Sequence, residues 1–149
     1  YWFDLVPSQF SLFAVALILI VSCYTFTNAK LKTKDFYFQG FPAVWNIVIF
    51  YLFVLDTPQL TNFLAILFFT VMTFVPLKYL HPFRVQEKKA LNLFMLSVWG
   101  VCCALLLIDL RDTPSYFSKY REIYFWLWVV LSLYFLSVTV KRSLVANKN

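Results

Sequence analysis

Residues 10–29 read FSLFAVALILIVSCYTFTNA, a run without one charged side chain. As a helix it would rise about 30 Å, the thickness of a bilayer's hydrocarbon core. Working outward, comparable apolar runs occupy 41–55, which its aromatics extend backwards, then 60–78, 91–109 and 123–140. The second is the shortest, but the polar breaks at Lys30 to Asp35 and at Asp56-Thr57-Pro58 mark its ends. The chain has 149 residues, 62% hydrophobic and 13% charged, with 18 Phe, 9 Tyr and 5 Trp. So few charges cannot clothe a water-facing surface of ordinary composition. The expectation is one all-α domain over 1–149, a polytopic membrane bundle of five transmembrane helices.

The basic residues give the bundle a direction. Lys30, Lys32 and Lys34 follow the first run, Lys78, Arg84, Lys88 and Lys89 the third, and Lys141, Arg142 and Lys148 the fifth. Only Arg111, Lys119 and Arg121 fall in the alternate loops. The positive-inside rule places residues 30–40, 78–90 and the C-terminus in the cytoplasm. It also explains the net charge of +6 without nucleic acid as a partner. The opening YWFDLVPSQF has neither the basic start nor the cleavage site of a signal peptide and does not begin with Met. It reads as a piece that begins in a loop, and an outward-facing N-terminus implies an odd number of spans before it.

On this topology KTKDFYFQGFPAVWN, residues 32–46, is a cytoplasmic loop entering the second span at headgroup depth. Gly40 suits a turn, and Pro42 suits the first turn of a helix, where a missing N–H costs nothing. Trp45 and Asn46 would then lie about one turn inside the span. A helix start with Lys30, Lys32 and Lys34 beside it favours phosphate. Lysines at this depth also serve as anchors to anionic lipid. Phe36, Tyr37, Phe38, Phe41 and Trp45 near Asp35 resemble the parts of a quaternary-ammonium site, though one residue in five here is aromatic and Trp45 also suits an interfacial anchor. Asn46 requires a hydrogen-bond partner in lipid, which a neighbouring helix supplies as well as a ligand does.

The second cytoplasmic loop, FVPLKYLHPFRV at 74–85, holds the only histidine. His81 at a span end reads first as a cap or interfacial group, and Lys78 and Arg84, which flank it, as an extension of the basic rim around a phosphate. Cys23, Cys102 and Cys103 lie in apolar runs without metal-ligand spacing and read as small core residues. No paired intraspan acids, metal-ligand cluster, serine-nucleophile motif or phosphate-binding glycine loop is present in the sequence, so no catalytic residue is assigned.

The run KTKDFYFQGFPAVWNIVIFYLFVL, followed by TFVPLKYLHPFRV, resembles the C-terminal half of the bacterial phosphatidylcholine synthases, within the CDP-alcohol phosphatidyltransferase family. The resemblance extends from about Phe10 to Arg142. It implies condensation of CDP-diacylglycerol with choline to give phosphatidylcholine and CMP, at the cytoplasmic side of a bacterial inner membrane. It also implies a divalent metal, manganese or magnesium, held by an aspartate signature that this sequence lacks. Asp4 lies on the outer side and does not match it. About eight spans, with the metal acids in N-terminal ones beyond this piece, would complete the enzyme, and this piece alone would be inactive. Lys32, Lys34, Asp35, Tyr37, Phe41, Trp45, Asn46, His81 and Arg84 are the substrate-binding candidates. Membrane lipid is a partner, and a homodimer is compatible with the resemblance. The rival readings are a phosphatidyltransferase for another alcohol and a membrane transport or assembly protein without chemistry.

Overall fold

A computed structural model of the chain describes residues 4–31, 37–81, 83–109 and 118–146. Five α-helices dominate: α1 (Ser8–Thr27), α2 (Trp45–Val54), α3 (Gln59–Met72), α4 (Lys89–Asp109) and α5 (Arg121–Ala146). Two-residue strands β1 (Phe38–Gln39) and β2 (Lys78–Tyr79) pair antiparallel, Phe38 opposite Tyr79 and Gln39 opposite Lys78. Short 3-10 turns, Ala29–Leu31 and Ser118–Tyr120, follow α1 and precede α5.

The expectation of five apolar helices holds, and three of them have the length of a span. α1, α4 and α5 are long and apolar enough to cross a membrane, whereas α2 has 10 residues and α3 has 14. At 1.5 Å per residue the last two rise only about 15 and 21 Å, short of a 30 Å core. The apolar runs are longer than the helices within them because part of each is spent on irregular backbone. Residues 41–44 and 73–77 carry aromatic and aliphatic side chains but serve to join elements. Within the apolar windows of the three long helices only 17% to 22% of positions are buried by protein. Their remaining faces are hydrophobic as well, as lipid requires.

Among the described residues, those of Tyr1–Lys34 and Phe38–Tyr79 form one compact unit and those of Asp35–Tyr37 and Leu80–Asn149 a second. In the first, α1 turns a stripe of small residues inward, with Ser11, Ala14, Val21 and Thr25 all buried. Small side chains let a neighbouring helix approach closely in lipid. Phe63 and Ile66 of α3 fill that approach, and Phe10 stacks on Phe63 with ring centroids 4.6 Å apart. Thr25 donates its hydroxyl to the Val21 carbonyl at 2.8 Å, so this polar group is satisfied within its own helix.

The turn from α2 to α3 is tight. Asp56 takes a left-handed φ of 47°, the Asp56 N–H donates to Phe53 O at 3.3 Å, and the Thr57 N–H donates to Leu52 O at 3.5 Å. This is the Schellman arrangement that ends a helix. Pro58 and Thr57 then open α3, where buried Asn62 bonds the Thr57 hydroxyl and donates to Leu5 O at 2.7 Å and Thr57 O at 3.1 Å. One amide thus joins the start of α3 to the chain entering α1.

In the second unit α4 and α5 run antiparallel. The Tyr134 hydroxyl donates to Asn92 Oδ1 at 2.7 Å, and the Trp99 indole N–H donates to the Ser132 hydroxyl at 3.2 Å. Between these bonds and the far end, Cys102 and Leu106 of α4 and Tyr124, Trp128 and Leu131 of α5 are buried at helical spacing. The reading of Cys102 as a core residue agrees with this. Cys23 instead lies on an exposed face of α1.

Candidate functional site

The candidates from the two cytoplasmic loops separate into the two units. Lys32, Lys34, Asp35 and Phe36 lie outside the described residues. Phe41 and Trp45 belong to the first unit, and both are buried in its core beside Val48, Leu52 and Ile66. Their rings meet edge to face at 5.6 Å, and Phe41 also packs on Phe69 and Tyr79 at 4.7 and 5.7 Å. Burial raises the Tyr79 phenol above its ordinary pKa of 10.0.

What fixes this corner is backbone pairing. The Gly40 N–H donates to Leu77 O at 2.9 Å and the Phe41 N–H to Met72 O at 3.0 Å. Gly40 has a φ of +84°, and a Cβ there would stand 2.2 Å from the Thr73 carbonyl oxygen. The expected turn role of Gly40 holds, with the added reason that only glycine fits against α3's last turn. Pro42 does not open the helix as expected. Residues 42–44 turn the chain out of the pairing, with the Val44 N–H donating to Pro42 O at 2.7 Å, and α2 starts at Trp45. Trp45 and Asn46 are therefore the first helical residues, and Asn46 is exposed instead of one turn inside.

Tyr37, His81 and Arg84 belong to the second unit. The His81 carbonyl accepts from the Arg84 N–H at 3.0 Å and the Val85 N–H at 3.1 Å, so His81 opens a turn. Its ring meets that of Phe83 at 6.2 Å. Burial, aided by the positive charge of Arg84, holds the imidazole pKa below 6.5, while a bond to its own backbone opposes this. Arg84 is exposed.

Tyr37 is buried and leads to residues that the sequence pattern did not single out for binding. The Arg142 guanidinium lies over its ring, 5.3 Å from the centroid. Around them is a cleft of about 230 Å³ lined by Tyr37, Glu87, Lys88, Asn92, Tyr134, Val138, Lys141 and Arg142. It sits at the basic end of the α4–α5 pair. Asn92 forms a fixed wall, accepting from Tyr134 and donating to Glu87 O at 3.1 Å. A sequence signal existed: Asn92, Tyr134 and Val138 lie one to three turns from Lys88, Lys89, Lys141 and Arg142 in otherwise apolar helices. Recognising the cleft required knowing that the two helices pair antiparallel. Among the described residues no three His, Cys, Asp or Glu side chains converge to hold a metal ion. The divalent metal implied by the resemblance thus finds no fitting ligands there, and no reaction step is derived through it.

The chain is 36% identical to a phosphatidylcholine synthase of Pseudomonas aeruginosa over 138 residues, 92% of this chain and 55% of that protein. A phosphatidylcholine synthase of Legionella bozemanae is 31% identical over 136 residues, 87% of this chain and 63% of its own length. One of Bradyrhizobium diazoefficiens is 38% identical over 112 residues, 74% of this chain and 42% of its own. The chain spans about half the length of the curated relatives it matches. No family model and no solved structure matches it. Across most of its length, therefore, the chain resembles the bacterial phosphatidylcholine synthases.

Proposed function

We propose that the chain is part of an enzyme of phospholipid synthesis that condenses CDP-diacylglycerol with choline, forming phosphatidylcholine and releasing CMP. The observation that carries this reading is the 36% identity to a curated phosphatidylcholine synthase across 92% of the chain. The apolar helices support a membrane location, which suits a lipid substrate. The basic loops favour a cytoplasmic active side at the inner membrane, by the positive-inside rule.

In this reading the first unit is scaffold. Phe41 and Trp45 hold α2 against α3, and they act on substrate only by keeping the backbone around Gly40 in place. Lys32, Lys34 and Asp35, with exposed Asn46, are the polar groups retained as headgroup contacts of that loop, and His81 and Arg84 those of the next. Metal-held charge, from manganese or magnesium, is assigned to parts of the whole protein beyond the described residues.

The test is made in bacteria that contain no phosphatidylcholine. Expression of the whole protein with labelled choline should produce labelled phosphatidylcholine. Its absence in cells whose membranes contain the protein and whose choline pool is labelled would overturn the reading.

A further inference from the structure

The cleft at the end of α4 and α5 carries an inference that does not depend on choline chemistry. Three cations, Lys88, Lys141 and Arg142, line it against one acid, Glu87. Such a site attracts an anion and repels a quaternary ammonium. Of the two tyrosines that line the cleft, Tyr37 already has the Arg142 guanidinium over its ring and Tyr134 is held by its hydroxyl on Asn92.

Simple anchoring to anionic lipid explains exposed lysines but does not explain built walls. Here Tyr37 is 5% exposed and Asn92 3%. The Tyr37 ring, its centroid 5.3 Å away, restrains the Arg142 guanidinium, whose planar set of N–H donors is suited to the paired oxygens of phosphate. Asn92 is held from both sides, by the Tyr134 hydroxyl at 2.7 Å and by Glu87 O at 3.1 Å. Lys88, in the turn just before α4, and Lys141, on α5, are exposed side chains and can swing to the same ligand. The cleft's volume of about 230 Å³ exceeds several times the roughly 30 Å³ share of one water molecule. A tetrahedral oxyanion fits with water to spare.

We propose that this cleft is a phosphate-binding site, taking the phosphate of a lipid headgroup or of a free phosphate or nucleotide. Phosphate in either form supplies the negative charge and the acceptor oxygens that match the N–H donors of the three cations. Binding should be salt-sensitive, because two of the cations are exposed.

Purified protein in nanodiscs distinguishes the sources. In discs of phosphatidylcholine, added inorganic phosphate or CMP should raise the unfolding temperature if the ligand is free phosphate or nucleotide. In discs with phosphatidylglycerol, native mass spectrometry should show retained phosphatidylglycerol if it is a lipid headgroup. In whichever arm responds, Arg142→Gln should weaken binding about tenfold, as expected for loss of a charged hydrogen-bonding partner. The double variant Lys88→Gln/Lys141→Gln changes only exposed side chains and tests the claim if Arg142→Gln fails to fold; it too should bind about tenfold more weakly. Lys119→Gln removes the same charge from outside the cleft and should bind as the parent does. No response in either arm would overturn the proposal. So would an unchanged double variant, or an equal loss in Lys119→Gln.

Discussion

At Gly40 a single hydrogen atom in place of a side chain decides whether the loop can dock on α3. The site combines a positive φ with a carbonyl oxygen 2.2 Å from where a Cβ would stand. The oxygen belongs to backbone, so no rotamer change relieves the clash. Gly40→Ala should destabilise the protein by about 2 kcal/mol or more, from left-handed strain plus displacement of the Thr73 backbone. Thermal unfolding in detergent checks this; a variant as stable as the parent would contradict the docking. Asp56 is also left-handed but predicts the opposite sign. Its φ of 47° closes the Schellman turn without glycine, so Asp56→Gly should stabilise by about 1 kcal/mol. A lowered unfolding temperature would show that the carboxylate does more than tolerate the turn. His81 gives a pH dependence. Its folded-state pKa lies below 6.5, so the unfolded chain takes up the proton more readily. The stability gained from the neutral ring is complete above that value and is lost as pH falls from 6.5 through the folded pKa. His81→Gln should remove that part of the acid destabilisation, and identical slopes of unfolding temperature against pH for both proteins would contradict it.

At the scale of elements, two buried amides join helices that apolar contacts alone would leave free to slide. Asn62 ties the start of α3 to the chain entering α1, and Asn92 ties α4 to α5 through Tyr134. Asn62→Ala should cost about 2 to 3 kcal/mol, because the Leu5 and Thr57 carbonyls lose a donor in a place with little water. Loss of less than about 0.5 kcal/mol would mean that the turn holds by itself. Neither asparagine stood out in the sequence as a structural tie. A polar residue in an apolar run shows that a partner is needed, but the partner here is either a backbone carbonyl or a tyrosine 42 positions away. The long helices were legible because length and composition decide a membrane crossing directly. The second and third runs are longer than their helices, because residues 41–44 and 73–77 are as apolar as a span while their backbone N–H groups donate to the last turn of α3 and within local turns. Hydropathy registers the side chains and is blind to that choice by the backbone.

For the molecule as a whole, the resemblance was legible in GFPAVWN and LHPFR, and the structure adds packing roles to residues whose chemistry in isolation suggests binding. The aromatics of the glycine loop have the makings of a choline site, whereas Phe41 and Trp45 are core and Tyr37 carries an arginine. Aromatic side chains pack as readily as they bind cations, and only burial separates the two uses. The basic residues near the chain's end read as topology, and the antiparallel pairing of α4 and α5 turns three of the chain's cations into a cleft. The central claim is that these elements serve a phosphatidylcholine synthase, and its most direct test is the choice of alcohol by the purified whole protein. CMP release from CDP-diacylglycerol would be measured with choline, serine, inositol and glycerol phosphate in turn, with manganese present. The account predicts release with choline, matched by phosphatidylcholine formed in equal amount, and background rates with the others; release with another alcohol but not with choline would contradict it.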